Sequence, residues 1–229
     1  MDISVERVFN SLYIYLDILF LIIFCIILLW RRRYLALIAG AIGGVIYFVV
    51  DYGCFYQLMG TRQVVGADPM WLLLWLSISY GLTNFAWIWL LLDRDGHWVE
   101  WSLLIIAGWV AVAFLGQGMG TDFTHIAISR GTAGYHSYMA AIMFIGYLWL
   151  IIQNLRTKTT EKANLLKLLA IGIGVQFSWE AVLLLSNIRP TGIMPLIVDS
   201  LIETNLGIPI LYLIHRAVSA KFNENLTKV

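Results

Sequence analysis

The stretch SLYIYLDILFLIIFCIILLWRRR, residues 11–33, joins a long apolar run to three consecutive arginines. An apolar run of about 20 residues is long enough to cross the hydrocarbon core of a bilayer as a helix. Arginines that follow such a run favour the cytoplasmic side of the membrane. Asp17 interrupts the run, although a carboxylate inside a bilayer costs roughly 2.5–3.5 kcal/mol on insertion scales. The stretch therefore predicts a membrane-spanning helix that retains one polar group.

The composition of the whole chain extends this pattern. Of the 229 residues, 60% are apolar and 13% are charged, and the mean hydropathy is +0.81. These values are typical of an integral membrane protein, and the net charge of +1 gives no indication of nucleic-acid binding. Strand alternation is absent. We therefore predict an all-α integral membrane domain over residues 1–229, with seven transmembrane helices at about 11–30, 34–57, 70–92, 100–118, 133–153, 165–186 and 195–215.

The basic residues predict the orientation of these spans. Eleven of them fall in one set of loops: Arg31, Arg32, Arg33, Arg94, Arg156, Lys158, Lys162, Lys167, Arg216, Lys221 and Lys228. Four fall in the other set: Arg7, Arg62, Arg130 and Arg189. This bias places the N-terminus outside and the C-terminus in the cytoplasm. The segment MDISVERVFN lacks a cationic region and a cleavage site, so we expect the first span to be retained. The small size and the lack of a sorting signal favour the bacterial inner (plasma) membrane.

The two halves of the chain share a short pattern. Ser79, Thr83 and Asn84 in the third span match Ser200, Thr204 and Asn205 in the seventh, at an offset of 121 residues. The match suggests two parallel three-helix units joined by the fourth span, a 3+1+3 repeat. Chance similarity between apolar helices is the alternative, and the sequence alone does not decide between them.

Acidic residues within the predicted spans indicate where chemistry takes place. All five lie in the outer half of the membrane in the predicted orientation: Asp17, Asp51, Glu180, Asp199 and Glu203. Taken singly, Asp17 fits a structural bridge to Arg7 or Arg130, and Asp199 fits the water interface. Four helices that contribute acids to one layer predict an outward polar cavity instead. The candidate catalytic residues are Asp51, Glu180, Asp199 and Glu203.

Aromatic, amide and arginine side chains accompany these acids. The candidate substrate-binding residues are Tyr47, Trp75, Tyr80, Asn84, Trp179, Asn205, Arg62 and Arg189. The two arginines lie in outer loops, from which they can reach the acids. Outer aromatics also occur in the ordinary interfacial belt of membrane proteins. The four histidines are scattered and no nucleotide-binding motif is present, so we predict neither a metal nor another cofactor.

The chain resembles the small seven-span membrane-bound terpene cyclases of fungal meroterpenoid and indole-diterpene pathways and their bacterial relatives. The resemblance rests on length, span count, the sequence Val49-Val50-Asp51-Tyr52, a third span that ends at Leu92-Asp93, and an acid in the last span. It implies protonation of an epoxide or alkene without metal or diphosphate departure. The implied acids are Asp51 and either Asp199 or Glu203. The family carries a Trp-Glu pair in its second span, whereas this chain has Trp179-Glu180 in the sixth.

Two further classes of function are open at this stage. The 3+1+3 pattern is similar to that of the sugar-transporting SWEET family, in which Asn84 and Asn205 would form a binding layer near the midplane. A polar-cored sensor for a small ligand is the other alternative. The expected partners are a lipophilic small-molecule substrate and membrane lipid, with no nucleic acid. Neither the substrate nor the oligomeric state follows from the sequence.

Overall fold

The computed structural model describes residues 7–129, 131, 133–157, 162–189 and 192–226. Arg130, Lys158 and Lys228, which entered the orientation count, lie outside these residues. Within the described ranges the chain forms eight helices: α1 Ser11–Trp30, α2 Tyr34–Leu58, α3 Pro69–Leu92, α4 Trp98–Met119, α5 His136–Arg156, α6 Leu165–Leu185, α7 Ile193–Ile202 and α8 Ile208–Leu226. Short polar residues begin several of them. The side chains of Asn10, Asp68 and Asn164 accept hydrogen bonds from backbone N–H groups in the first turns of α1, α3 and α6.

Helices α1 to α6 are long and apolar enough to cross a membrane, and they agree with the first six predicted spans to within three residues. The predicted seventh span, 195–215, is not confirmed as one continuous helix. It is divided into α7 and α8 by a turn over residues 203–207. Pro209 has no N–H group to donate to the carbonyl of residue 205, and Gly207 disfavours helix, so the chain ends α7 before the pair.

A small antiparallel sheet closes one end of the bundle and was not predicted. Its strands are β1 Arg7–Asn10, β2 Gln63–Val65 and β3 His125–Ser129, in the order β1-β3-β2. Arg7 lies opposite Ile128, and Val64 also pairs with Ile128 from the other side. A fourth segment joins them, since the N–H of Val8 donates to the carbonyl of Ile188 at 2.7 Å. We call this the sheet end.

The opposite end, the basic end, is held by polar contacts between its own loops. Arg33 forms an ion pair with Asp95 at 2.6 Å, and His215 lies 2.6 Å from Asp93. The loop after α1, the loop after α3 and His215 of α8 therefore meet at this end. Helices α7 and α8 together lead from the sheet end, where Asp199 contacts a loop arginine, to His215 at the basic end. Which end faces the cytoplasm stays a prediction from charge.

Helices α2 and α3 approach each other closely through small residues. Gly40 and Gly44, spaced four residues apart on α2, face Leu82 and Ile78 of α3. A Cβ atom added at Gly81 would collide with the backbone nitrogen of Gly44. Both helices widen into π-helical geometry near this crossing, over Val49–Leu58 in α2 and Gly81–Phe85 in α3. The close crossing therefore fixes the position of two irregular helical segments.

Substitution of Gly81 by alanine tests this crossing. The added methyl group has only backbone atoms to displace, so we expect the variant to lose about 1–3 kcal/mol of stability. The matched control is Gly118→Ala in α4, where nothing lies within 4 Å of the added Cβ. Thermal unfolding in detergent measures both variants. Equal unfolding midpoints for the two variants would contradict the close crossing.

Candidate functional site

A cavity of about 260 Å³ lies between α2, α3, α5 and the α7–α8 turn. Apolar and aromatic side chains form most of its wall, which also carries Asp51, Arg62, Asn84, Glu203 and Thr204. The lining residues are Ile46, Tyr47, Val50, Asp51, Phe55, Arg62, Tyr80, Asn84, Phe85, Ile88, Met139, Glu203, Thr204, Leu206, Gly207, Ile208 and Leu211. Six of the predicted site residues meet here: Tyr47, Asp51, Arg62, Tyr80, Asn84 and Glu203. We call this space the main cavity.

Three segments that depart from α-helical geometry surround the main cavity. Asp51 lies in the π-helical part of α2, and Asn84 lies in that of α3. Glu203 and Thr204 lie in the turn between α7 and α8. π-Helical turns are rare and occur frequently at functional sites, and broken helices line binding sites in membrane proteins. The polar wall is therefore built from irregular backbone on three neighbouring elements.

Asp51 is neutralised within the cavity wall by Arg62. The Oδ1 atom of Asp51 accepts from Nε of Arg62 at 2.7 Å and lies 2.6 Å from its NH2 nitrogen. Both side chains are buried, and the Arg62 guanidinium lies 4.5 Å from the ring centroid of Phe55. Two guanidinium nitrogens therefore contact one carboxylate oxygen, and charge-assisted contacts of this kind are stronger than those between neutral groups. Asp51 and Arg62 thus form a buried ion pair. The prediction that Arg62 can reach an acid from its loop is confirmed.

Glu203 lines the main cavity, and a network of uncharged side chains holds its carboxylate. Gln176 donates from Nε2 to Oε2 of Glu203 at 3.0 Å. The Oε1 atom of Gln176 accepts from the hydroxyls of Tyr80 at 2.6 Å and Thr204 at 2.7 Å. These two hydroxyl donors fix the orientation of the Gln176 amide, so its N–H groups point towards the carboxylate. Among the residues that the structure describes, no arginine or lysine forms an ion pair with Glu203.

Asn84 is a buried amide in the wall of the main cavity. Its side chain is 1% exposed, and neither its amide nitrogen nor its amide oxygen has a hydrogen-bond partner in the described part of the chain. An unpaired buried amide costs roughly 1–3 kcal/mol. Since Asn84 also lines the cavity, its amide borders the space in which a ligand would lie.

Glu180, Asp199 and Arg189 form a separate charged cluster beside the main cavity. Arg189 bridges the two carboxylates, with Nε 3.1 Å from Oε2 of Glu180 and NH1 2.8 Å from Oδ2 of Asp199. Arg7 lies 3.6 Å from Glu180, and His136 Nε2 lies 3.4 Å from Asp199. Gln176 links the cluster to the cavity, because its Nε2 also donates to Oε1 of Glu180 at 3.2 Å. None of the three cluster residues lines the main cavity.

Three carboxylates in this region come close enough to share a metal ion. One oxygen each from Glu180, Asp199 and Glu203 lies within 4.8 Å of the others. Arg189 already supplies the opposing charge to Glu180 and Asp199, so a cation here would have to compete with a guanidinium. The protein thus provides its own counter-charge, and we assign no metal to the cluster.

The remaining predicted site residues lie outside the main cavity. Trp75 donates from Nε1 to Asp17 at 2.8 Å, in an aromatic group with Phe9 and Tyr13. Trp179 is buried against Trp109, with ring centroids 5.0 Å apart.

Asn205 is held by two neighbours. Its Oδ1 accepts from Tyr147 at 3.1 Å, and its side chain packs on Gly172, where an added Cβ would collide with it. The predicted layer of Asn84 with Asn205 is therefore not formed around one ligand space, since only Asn84 lines the cavity. The 3+1+3 repeat stays a prediction.

Four residues in these networks were not predicted: Arg7, His136, Gln176 and Thr204. The spacing of Gln176 and Glu180 contains a signal, because residues four apart share one helical face. Thr204 is adjacent to Glu203 and belongs to the repeated Ser-Thr-Asn pattern. Arg7 and His136 had no comparable signal, because their contacts depend on how distant segments pack.

In comparisons with protein-family models, curated proteins and solved structures, nothing matches this chain.

The charged cluster makes a testable prediction about stability. Arg189→Gln leaves two buried carboxylates short of a counter-charge, and we expect a loss of about 3–5 kcal/mol. The double variant Arg189→Gln/Asp199→Asn removes one of those charges and should recover part of the loss. Thermal unfolding of the two single variants and the double variant forms a double-mutant cycle. Additive effects would mean that Arg189 and Asp199 do not interact.

Proposed function

We propose that this protein is an integral-membrane enzyme that rearranges a lipophilic substrate by proton transfer, with a cyclisation like that of the membrane-bound terpene cyclases as the favoured reaction. The observation that carries the proposal is the main cavity, which combines an apolar and aromatic wall with one carboxyl group, Glu203, that lacks an arginine partner among the described residues. Apolar pockets with few convergent polar groups are the usual form of small-molecule sites.

Glu203 is the proposed general acid and base. Gln176 binds its Oε2 and leaves Oε1 available to a substrate. Transfer of a proton from Glu203 to an alkene carbon or an epoxide oxygen produces a carbocation and a glutamate carboxylate. After ring closure, loss of a proton from a carbon next to the cation returns the proton to Glu203 and forms the product double bond. The step balances without a metal or a second reactant.

The cavity wall is suited to a cationic intermediate. Tyr47 and Tyr80, whose ring centroids lie 4.5 Å apart, line it together with Phe55 and Phe85. Aromatic faces attract cations through their quadrupole. In this proposal Asp51, ion-paired with Arg62, is a fixed group near the cation and not the proton donor that the family resemblance implies. Asn84 binds a hydroxyl, carbonyl or epoxide oxygen of the substrate.

The dimensions of the main cavity favour a substrate that enters from the bilayer. At about 260 Å³ it lies slightly below the range of roughly 300–1,000 Å³ that is common for ligand pockets. Ile46 and Val50 line it and are 55% and 40% exposed on the outer surface of α2. These exposed apolar residues support a lateral opening towards lipid, through which part of a long chain can extend while the reacting end is enclosed.

The purified protein in proteoliposomes tests the proposal with farnesol, geranylgeraniol and the terminal epoxides of both as substrates. Gas chromatography with mass spectrometry detects cyclised products. We expect product from the wild type and a loss on the order of 100-fold or more in Glu203→Gln, which keeps the shape of the side chain but not its acid.

The matched control is Glu100→Gln at the exposed start of α4, which should retain full activity. Size-exclusion profiles establish that each variant is folded. If the wild type cyclises a substrate and Glu203→Gln cyclises it equally well, the assignment of Glu203 is wrong. If the wild type converts none of these substrates, the proposed cyclisation is wrong.

A transporter is the second candidate, and the broken helix favours it. Discontinuous helices form the substrate sites of several transporters, and the α7–α8 turn is such a break beside the main cavity. Uptake of labelled sugars into proteoliposomes distinguishes the two functions. Uptake without product formation would replace the enzymatic proposal by transport.

A further inference from the structure

A second groove lies at the basic end of the bundle. It has a volume of about 730 Å³ and lies between the end of α3, the start of α4 and the first half of α6. Its lining residues are Trp87, Leu91, Arg94, Asp95, Gly96, Trp98, Ser102, Lys167, Ala170, Ile171, Gly174, Val175 and Ser178. No residue of the main cavity contributes to it. We call it the basic-end groove.

The long axis of the basic-end groove follows one face of α6. Lys167, Ala170, Gly174 and Ser178 recur at helical spacing and cover roughly 16 Å at 1.5 Å per residue. The small side chains leave the groove open, and nothing lies within 4 Å of a Cβ added at Gly174. Ala170 and Gly174 are exposed on the outer surface of the bundle.

The opposite wall of the groove is apolar. It is formed by side chains that include Trp87 and Leu91. The space is therefore long, apolar and open towards the bilayer, and these properties suit the binding of an acyl chain.

Two cations lie at the basic end of this apolar space. Lys167 donates from Nζ to the carbonyl of Leu91 at 3.2 Å, and its charge interacts unfavourably with that of Arg94. Arg94 is exposed and has no acidic partner among the residues described.

Asp95, the acid of the groove, is already satisfied. It pairs with Arg33 at 2.6 Å and accepts from the N–H of His97 at 2.8 Å. Lys167 and Arg94 are thus neighbouring positive charges that no acid among the described residues meets, and they provide a site for an external anion.

We propose that the basic-end groove binds one anionic phospholipid, whose phosphate contacts Arg94 and Lys167 and whose acyl chain lies along α6 past Gly174. Trp98, which is 55% exposed at the start of α4, occupies the headgroup level, where tryptophan is enriched in membrane proteins. The site is separate from the proposed enzymatic cavity and does not depend on it. Charge complementarity selects phosphatidylglycerol or cardiolipin over a zwitterionic lipid.

Native mass spectrometry of the detergent-purified protein, titrated with phosphatidylglycerol or with phosphatidylcholine, tests the charge requirement. We expect one tightly retained phosphatidylglycerol and weaker retention of phosphatidylcholine. The variant Arg94→Gln/Lys167→Gln should lower the affinity for phosphatidylglycerol by on the order of tenfold or more. The matched control is Arg31→Gln/Arg32→Gln, which removes the same charge from exposed residues at the same end outside the groove. An equal loss in both double variants would overturn the proposal.

A second pair of variants tests the groove without changing charge. Gly174→Leu fills the space for the acyl chain and should lower phosphatidylglycerol retention to the level of the charge variant. Gly118→Leu, which adds the same side chain in open space on α4 outside the groove, should leave it unchanged. Glycerol phosphate, which has the anionic group but no chain, should not compete. Full retention in Gly174→Leu, or competition by glycerol phosphate, would show that the groove does not bind a lipid chain.

Discussion

The need to satisfy every backbone polar group away from water is the constraint on which this structure depends. In hydrocarbon an unpaired N–H or C=O costs several kcal/mol, so irregular backbone is tolerated only where protein or a polar cavity surrounds it. The turn at 203–207 meets that condition. Asn205 is buried and accepts from Tyr147, its Nδ2 donates back to the carbonyl of Leu201, and Gly172 leaves the space in which it packs. The break can therefore exist inside the bundle, and it presents Glu203 and Thr204 to the main cavity.

Buried charged side chains, like buried backbone groups, have partners close by. Asp51 with Arg62, and Glu180 and Asp199 with Arg189, place carboxylates beside guanidinium groups in a region largely withdrawn from water. Such pairs contribute little net stability, because the desolvation cost offsets the attraction, but removal of one partner is expensive. Their value lies in fixing the loops at the sheet end against the helices.

Much of the helical architecture could be predicted from sequence. Apolar runs of spanning length located α1 to α6, and basic residues assigned successive loops to opposite ends. The acids at a common depth led to Asp51 and Glu203, which do line one cavity. Sequence reasoning placed Glu180 and Asp199 in that cavity too, whereas in the structure both acids form ion pairs with Arg189 outside it. Depth along a helix can be read from sequence, but rotation about its axis is set by packing, which an apolar sequence of low amphipathicity does not reveal.

The features that sequence missed have related causes. The strands of the small sheet contain only three to five residues each, too few for an alternating pattern to be recognised. Gly207 and Pro209 signalled the division of the seventh span. The mean hydropathy of a window of about 20 residues hides such a pair, because the apolar residues around it dominate the average. The π-helical segments have no signature in residue type. They lie beside the close crossing of α2 and α3 and contribute residues to the wall of the main cavity.

The pairing of β1 has a consequence for the order in which the protein can be assembled. Residues 7–10 are made before the segments that they contact, since β1 pairs with β3 at 125–129 and the N–H of Val8 donates to the carbonyl of Ile188. Arg7 is buried against Glu180, which lies more than 170 positions later. During synthesis β1 therefore cannot complete these contacts until α6 and the segment that follows it have been made. The contacts of β1 with β3 and with Ile188 therefore form late, after the helices between them have been made.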